Sequence, residues 1–342
     1  MFWFAIASLS PALCLAAACL LGGPWPFVAL GWITLFVFFV DSWVSRQMPD
    51  HQDHDGLWVC YLQAGAHGVL WALGIWAIGA GSHLDWFDKA LILIGLGLYF
   101  GQVSNSNAHE LIHKPSRLAR KVGVALYASL LFGHHASAHL RVHHIHAATP
   151  RDPNTARLGE SYWRFLLRVW SQEFLAGKQA EDVLRQRQST PPSRWSHPYV
   201  TYLVGAGLAC CVSLLIAGLW GLLALFGIAL YAQMQLYLSD YVQHYGLMRQ
   251  RQRDGQLEPI GPRHSWNAPQ WYSGAMMLNA PRHSDHHANP GRAFPELELS
   301  RDFMPILPHS LPVMAVAALF PPLWRSMMDW RALEWQGHSC SP

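Results

Sequence analysis

Nine of the 20 histidines in this chain of 342 residues fall into four groups whose spacing suits metal binding. His109 and His113 are four residues apart, as are His139 and His143. Residues at this spacing lie on one face of an α-helix, so the two imidazoles of each pair can bind one ion. The full set of candidate ligands is His109, His113, His139, His143, His144, His244, His283, His286 and His287.

Each group also has a purely structural interpretation. A single HxxxH pair arises often by chance, and a lone His244 is more often an interfacial polar residue than a ligand. The set as a whole resists this interpretation, because leaving nine imidazoles unpaired beside a membrane is costly. One tetrahedral zinc ion uses at most four ligands, so nine imidazoles favour two metal ions. Imidazole binds Zn, Cu, Fe and Ni, and ligand type alone does not identify the metal.

The other histidines suggest structural roles. We expect His134 and His135 to be helix-end residues. The remaining histidines are scattered, and we interpret them as structural or solvated: His51, His54, His67, His83, His197, His309 and His338.

The composition indicates that membrane helices position these groups. Hydrophobic residues make up 51% of the chain and charged residues 13%, whereas soluble domains carry about 25% charged residues. A bilayer-spanning helix needs about 20 apolar residues. We predict an all-α integral membrane protein, with residues 1–342 forming a single catalytic domain and a cytoplasmic His-rich cap. The predicted spans are approximately 2–21, 27–44, 57–80, 88–106, 199–219 and 221–240, and the His-bearing segments are 107–197 and 241–342.

Two features of the apolar pattern allow more than one interpretation. The first span has the length of a signal peptide, but it lacks a basic start and a second apolar stretch follows closely, which favours a membrane hairpin. Residues 122–132 are too short to cross a bilayer, and residues 311–328 are interrupted by proline. We predict that both of these stretches form helices on the membrane face.

The basic residues predict the orientation. Of the 24 Lys and Arg, 22 lie in the two His-bearing segments, and the others are Arg46 and Lys89. The positive-inside rule then predicts that these segments and both termini face the cytoplasm. The net charge of +3 and the lack of a basic run interleaved with aromatic residues give no indication of a nucleic-acid partner. The six cysteines form no C-x-x-C pair, which excludes a rubredoxin-type iron site within the chain.

Five longer strings resemble the alkane 1-monooxygenase and xylene monooxygenase family, a branch of the membrane fatty acid desaturase-like superfamily. They are HELIHK at 109–114, HHIHAATPRDPNTAR at 143–157, DYVQHYGL at 240–247, HSWN at 264–267 and PRHSDHHA at 281–288. The resemblance covers roughly residues 27–300. The chain departs from the family pattern at Ala138 and Gln243, where the family usually has Glu, and at Arg151, where it usually has an acidic residue.

This resemblance implies a six-span enzyme of the bacterial inner membrane, with two non-haem iron ions held by the nine histidines on the cytoplasmic side. It implies that O2 is a co-substrate and that one oxygen atom enters a terminal or methyl C–H bond of an n-alkane or alkyl-aromatic compound. Electrons then come from a separate rubredoxin or ferredoxin with its reductase, because the chain has no C-x-x-C pair, Rossmann fingerprint or flavin motif. A basic surface suits an acidic donor of this kind.

Residues around the ligands have predicted supporting roles. We expect Glu110, Asp152, Asp240, His264 and Asp285 to surround the ligands, with the four carboxylates accepting the outer N–H of ligand histidines. For Asp285 the alternative is that it caps a turn. A hydrophobic substrate enters from membrane lipid, and its channel has five candidate lining residues for which helix packing is the competing role: Trp32, Phe36, Phe39, Leu96 and Phe100.

Two other functions fit part of the sequence pattern. A fatty-acyl desaturase or hydroxylase of the same superfamily shares the histidine groups, but the DYVQHYGL and HSWN strings argue against it. A His-rich metal transporter belongs to a different class. Transporters place ionisable ligands within their spans, whereas these groups follow span ends.

Overall fold

The structure is a computed structural model that describes residues 1–44, 55–190 and 192–337. Arg46, His51, His54 and His338 lie outside these ranges. Within them the chain is helical without β-strands, which confirms the predicted all-α class. The main helices are α1 (Phe2–Leu21), α2 (Trp25–Trp43), α3 (Leu57–Ala80), α4 (Trp86–His113), α5 (Arg117–Ser129), α6 (residues 135–146), α7 (Tyr162–Gln186), α8 (Pro198–Gln243), α9 (Trp271–Met276), α10 (His283–Ala288), α11 (Leu311–Ala318) and α12 (Pro321–Gly337).

Five of the described helices, α1 to α4 and α8, are long and apolar enough to cross a membrane. The 46-residue α8 contains a break at Ala217 and Gly218, where Gly218 adopts a φ of 59°. This left-handed conformation favours glycine. A side chain at Gly221 would meet the backbone oxygen of Ser213, so the chain folds back on itself at the break. α8 therefore consists of two helical segments that pack side by side.

The fourth apolar helix is longer than the sequence predicts. α4 continues past residue 106 and ends at His113. His109 and His113 therefore lie on a direct extension of a membrane helix, whose backbone orients both imidazoles. Close packing supports this helix, because a Cβ added to Gly101 would lie 2.5 Å from the backbone oxygen of Ala232 on α8. Only glycine allows the two helices to approach so closely.

Shorter helices cover the end of the bundle that carries the histidines. The predicted helix at 122–132 begins within α5. α5 buries Ala119, Gly123 and Leu126 and exposes Arg117 and Lys121. The second predicted surface helix is split in two, because Pro321 starts the new helix α12 after α11 ends. α7 presents one face to the interior, with Phe165, Val169 and Glu173 among its buried residues.

Three membrane-proximal helices contain π-helical turns, at Trp32–Phe36 in α2, Tyr99–Ser104 in α4 and His139–His143 in α6. In a π turn the backbone hydrogen bonds join residues five apart instead of four, and such turns are frequent at functional sites. One of these turns contains two of the predicted metal ligands.

Candidate metal centre

The nine predicted ligands converge in two adjacent groups. The first group is His109, His113, His139, His144 and His286, and the second is His143, His244, His283 and His287. Within each group one ring nitrogen of every histidine lies within 4.8 Å of the others. The groups are neighbours, since the ring centroids of His144 and His287 are 4.8 Å apart.

The π turn in α6 divides its histidines between the two groups. His139 Nε2 lies 2.9 Å from His144 Nε2 in the first group, whereas His143 belongs to the second. The expectation that His139 and His143 share one ion is therefore wrong. In a regular α-helix, residues five apart point about 140° away from each other. The wider π turn reduces this angle, so His144 turns towards His139.

α10 also contributes to both groups. His283 and His287 are one turn apart, and their Nε2 atoms are 3.1 Å apart in the second group. His286, on the other side of the helix, lies 3.1 Å from His144 in the first group, measured between Nε2 atoms. His244, at the end of α8, completes the second group, with its Nε2 atom 2.8 Å from that of His283. Two short helices thus hold the two groups together.

The ring nitrogens are arranged to fit cations. The Nε2 atoms of His244, His283 and His287 lie 2.8, 3.3 and 3.1 Å from one another. Each Nε2 of a neutral imidazole is either a donor or an acceptor, so at least two of the three are alike and the three contacts cannot all be hydrogen bonds. In addition, the buried Nε2 atoms of His109 and His143 have no hydrogen-bond partner among the described residues. A metal ion in each group would engage these lone pairs.

Burial keeps most of these imidazoles in the form that binds metal. It lowers the pKa of His139, His144, His244, His283, His286 and His287 well below the usual value, and neighbouring histidines lower it further. Metal binding requires the neutral imidazole. These six histidines are therefore suited to bind cations at neutral pH without first losing protons.

Asp152 orients one of the predicted ligands. It lies in the loop after α6, and its Oδ2 atom accepts a hydrogen bond from His143 Nδ1 at 2.9 Å. Burial opposes charge on His143, but the Asp152 carboxylate outweighs it and raises the pKa of His143. Thr155 and the backbone N–H of Asn154 donate to the same carboxylate and hold it in place. His143 Nε2 is left facing the second group.

The other predicted supporting residues contact residues that are not predicted ligands. Glu110 accepts hydrogen bonds from Lys114 Nζ at 2.7 Å and from the backbone N–H of Phe294 at 3.1 Å. Asp240 accepts from Asn154, and His264 pairs with Glu258. Among the described residues, none of these side chains bonds to a predicted ligand.

Asp285 ties α10 to the segment that follows it. Its carboxylate accepts hydrogen bonds from Asn289, Arg292 and the backbone N–H of Glu298. The expected bond from a ligand imidazole to a carboxylate is therefore present for Asp152, and it is wrong for Glu110, Asp240 and Asp285 within the described ranges.

A buried polar network beside the first group was not predicted. Glu173 on α7 accepts a hydrogen bond from His135 Nδ1 at 2.6 Å and another from the Tyr237 hydroxyl at 2.5 Å. Burial opposes the charge, yet His135 and His134 lower the pKa of Glu173. The His135 ring lies 5.4 Å from that of His139. His134 and His135 do lie at a helix end, since α6 begins at His135, but the His135 ring is buried and bonded to Glu173.

A sequence signal for this network did exist. Glu173 falls on the same face of α7 as Phe165, Val169 and Gly177, all of which are buried. A carboxylate on the apolar face of an amphipathic helix needs a buried partner. His67, by contrast, has the expected structural role, because its two ring nitrogens lie 2.5 Å from Ser104 Oγ and 2.8 Å from Ser129 Oγ.

The five candidate channel residues do not form one continuous lining in the part of the chain that the structure describes. Trp32 stacks on Phe36, which meets Tyr272 of α9 edge-on. Phe39 is exposed and packs against Phe38 and Trp43. The other two are fully buried: Leu96 lies against Gly74, and Phe100 lies against His67.

The three residues that depart from the family pattern, Ala138, Gln243 and Arg151, lie in different environments. Ala138 faces Gly177 of α7, where an added Cβ would lie 3.0 Å from that of Ala138. Gln243 donates a hydrogen bond to the backbone oxygen of Ala280 at 3.1 Å, which ties the end of α8 to the segment before α10. Arg151 is exposed.

Comparison with known proteins gives a consistent result. The fatty acid desaturase family model matches residues 84–317. The chain is 33% identical over 268 residues to alkane 1-monooxygenase 1 of Pseudomonas aeruginosa, which covers 76% of this chain and 68% of that protein. It is 35% identical over 287 residues to alkane 1-monooxygenase 1 of Alcanivorax borkumensis, covering 80% and 67%. It is 28% identical over 241 residues to the xylene/toluene monooxygenase hydroxylase component XylM of Pseudomonas putida, covering 69% and 62%.

Proposed function

The chain belongs to the alkane 1-monooxygenases of the fatty acid desaturase family, and we propose that it inserts one oxygen atom of O2 into a terminal or methyl C–H bond of a hydrophobic substrate. The observation that supports this most directly is the pair of adjacent all-histidine groups at the ends of membrane helices. The substrate class is an n-alkane or an alkyl-aromatic compound.

The two histidine groups are proposed to hold two non-haem iron ions, which when bound supply the reduction of O2 and the oxidation of the C–H bond. Neutral imidazoles add no charge to such a centre. Asp152 holds His143 in one tautomer, and such second-layer partners commonly change metal affinity by 10–100-fold. The four histidines of the second group are buried, whereas His109, His113 and His144 of the first group are partly exposed.

The substrate is proposed to arrive through the bilayer. An alkyl chain gains about 0.8 kcal/mol per CH2 when it leaves water for the bilayer, and its later transfer from lipid into an apolar passage adds little, so the shape of the passage is what selects the substrate. Trp32 is the candidate for limiting chain length, because its half-buried ring stacks on Phe36 and its Nε1–H donates to Ser10 Oγ at 3.1 Å. The same contacts also serve helix packing, so substrate length is the property that separates the two roles.

We propose that the centre lies at the cytoplasmic face of the bacterial inner membrane and receives electrons from a rubredoxin, or from a ferredoxin, with its reductase. The bias of the basic residues supports this orientation. Arg141, Arg151 and Arg187 surround a groove that Ile145 and His146 also line, directly after His144 in the sequence. An acidic electron carrier docked there would come close to the first histidine group.

The decisive experiment is hydroxylation by the purified, iron-loaded protein with an added rubredoxin and reductase. A panel of n-alkanes and alkyl-aromatic compounds should yield alcohols, and His143→Ala should abolish the reaction. His309→Ala is the matched control, because His309 is exposed and should not affect the rate. Alkene products would support a desaturase instead, and full activity in His143→Ala would refute the assignment of the ligands.

A further inference from the structure

A groove with two kinds of lining lies between α5, α6 and the start of α8. It has a volume of about 720 Å³, within the range of roughly 300–1,000 Å³ that is typical of ligand sites. We call it the α5–α8 groove. Its mouth carries four basic residues, Arg117, Arg120, Lys121 and Arg141, and its floor is apolar, with Ile112, Val124, Ala128, Leu140 and Tyr202.

The charges at the mouth are poorly neutralised. Arg117 and Lys121 are exposed one turn apart on α5, and neither forms an ion pair with any residue in the described ranges. Arg120 is held by the backbone oxygens of Lys114 and Pro115. Among the described residues, the carboxylate that lines the groove is that of Glu181, which lies 3.7 Å from Arg141 Nε. Four cations facing one carboxylate form a site for an anionic group.

The floor of the groove belongs to a membrane helix. Thr201, Tyr202 and Gly205 lie in the first turns of α8, which is one of the candidate spans. The groove ends where α5 crosses α8, since a Cβ at Gly205 would lie 2.8 Å from that of Ala128. The basic mouth and the apolar floor therefore meet at the level where a membrane helix begins. A soluble anion has no apolar part that could contact this floor.

We propose that the α5–α8 groove binds an anionic phospholipid of the surrounding bilayer, with the phosphodiester at Arg117, Lys121 and Arg141 and one acyl chain along the apolar floor. Clusters of basic residues next to membrane helices attract anionic headgroups in this way. Ile112 lies between His109 and His113 and lines the floor. The bound lipid therefore packs against the helix end that carries two predicted ligands. The proposal does not depend on the hydroxylation reaction.

The test is lipid binding by the delipidated full chain in an uncharged detergent, followed by native mass spectrometry. Phosphatidylglycerol should bind more tightly than phosphatidylcholine. The double variant Arg117→Gln/Lys121→Gln should weaken phosphatidylglycerol binding about 25-fold, at about fivefold per cation, and should weaken phosphatidylcholine binding less, because the choline cation offsets the charge of its phosphodiester. The control Arg253→Gln/Arg301→Gln removes two exposed charges elsewhere and should change neither.

A second variant tests the apolar half of the site. Ala125 is exposed and lines the groove, so Ala125→Trp should obstruct the acyl chain and weaken the binding of both lipids. Equal phosphatidylglycerol affinity in the wild type and the Arg117/Lys121 variant would overturn the proposal. So would full competition by soluble glycerol phosphate, because that result would assign the site to phosphate alone. Wild-type binding by a monodisperse Ala125→Trp protein would exclude the acyl chain from the floor.

Discussion

Replacing Glu173 tests whether the buried network beside the first histidine group stabilises the fold. Its side chain is 1% exposed and accepts two short hydrogen bonds, from His135 and from Tyr237. Hydrogen bonds to a charged group contribute about 1.5–3 kcal/mol each. Removing one partner of a buried charged pair costs about 3–5 kcal/mol. We therefore expect Glu173→Ala to lower the free energy of unfolding by about 3–5 kcal/mol.

Glu173→Gln is the sharper variant, because it keeps the shape and one oxygen acceptor. Glu173→Gln should lose one of the two strong hydrogen bonds, which should lower the free energy of unfolding by about 1.5–3 kcal/mol. The matched control is Glu181→Gln on the same helix. Glu181 accepts a hydrogen bond from Ser137 at 2.8 Å and lies 3.7 Å from the half-exposed Arg141, so its replacement should cost about 1 kcal/mol.

The assay is unfolding of the purified proteins in one detergent, both metal-loaded and after chelation, since bound metal adds its own stabilisation. The pH dependence supplies a second measurement. The pKa of Glu173 is lowered in the folded protein. The Glu173 carboxylate therefore makes its full contribution to the free energy of unfolding above pH 4.3, which is about the pKa of the carboxyl group in the unfolded chain, and this contribution is lost as the pH falls below that value. The difference in unfolding free energy between wild type and Glu173→Gln should therefore be present at pH 6 and should shrink as the pH falls below about 4.3. If Glu173→Gln proves no less stable than Glu181→Gln at pH 6, or if the difference does not shrink in acid, the reasoning is refuted.

Four further predictions concern the metal centre, the passage and the orientation. His286→Ala should lose iron from the first group and His287→Ala from the second, so that each retains about half of the two-iron content in elemental analysis; zinc without iron in the wild type contradicts the assignment. Asp152→Asn should weaken metal affinity 10–100-fold in a chelator competition, and unchanged affinity contradicts its orienting role. Trp32→Ser should extend activity to longer substrates, whereas an unchanged length profile removes Trp32 from the passage and a loss of folded protein makes it a packing residue. Reporter fusions after Lys114 and at the C-terminus should both report the cytoplasm, and an outside signal at either point refutes the topology.

The apolar spans and the set of candidate ligands could be predicted because each leaves a local signal. Bilayer thickness dictates long apolar runs, and the histidines occur in short strings. The reversal within α8 also left a trace, since an uninterrupted helix of 46 residues is far longer than one crossing and contains Gly218. These features depend on residues close together in the sequence.

The division of the ligands between two groups could not be predicted. It depends on the π turn at His139–His143, and the sequence of that turn contains no residue type that demands π winding. The partners of Glu173 were equally hidden, because His135 lies 38 residues away and Tyr237 lies 64 residues away. Long-range contacts of this kind arise only when α6, α7 and α8 pack together. The sequence could show that Glu173 needed a partner, but it could not show which one.

The π turn in α6 makes the number of residues between His139 and His143 more important for placing the ligands than the identity of those residues. Leu140 and Arg141 lie between His139 and His143, and neither is a predicted ligand or fully buried. Their side chains can therefore vary with little effect on the ligands. Deleting either one would shorten the wide turn towards a regular α-helix, rotate every imidazole beyond it and deliver His143 and His144 to the wrong partners. Over related sequences, positions 140 and 141 should tolerate substitution, whereas the segment should admit neither insertion nor deletion.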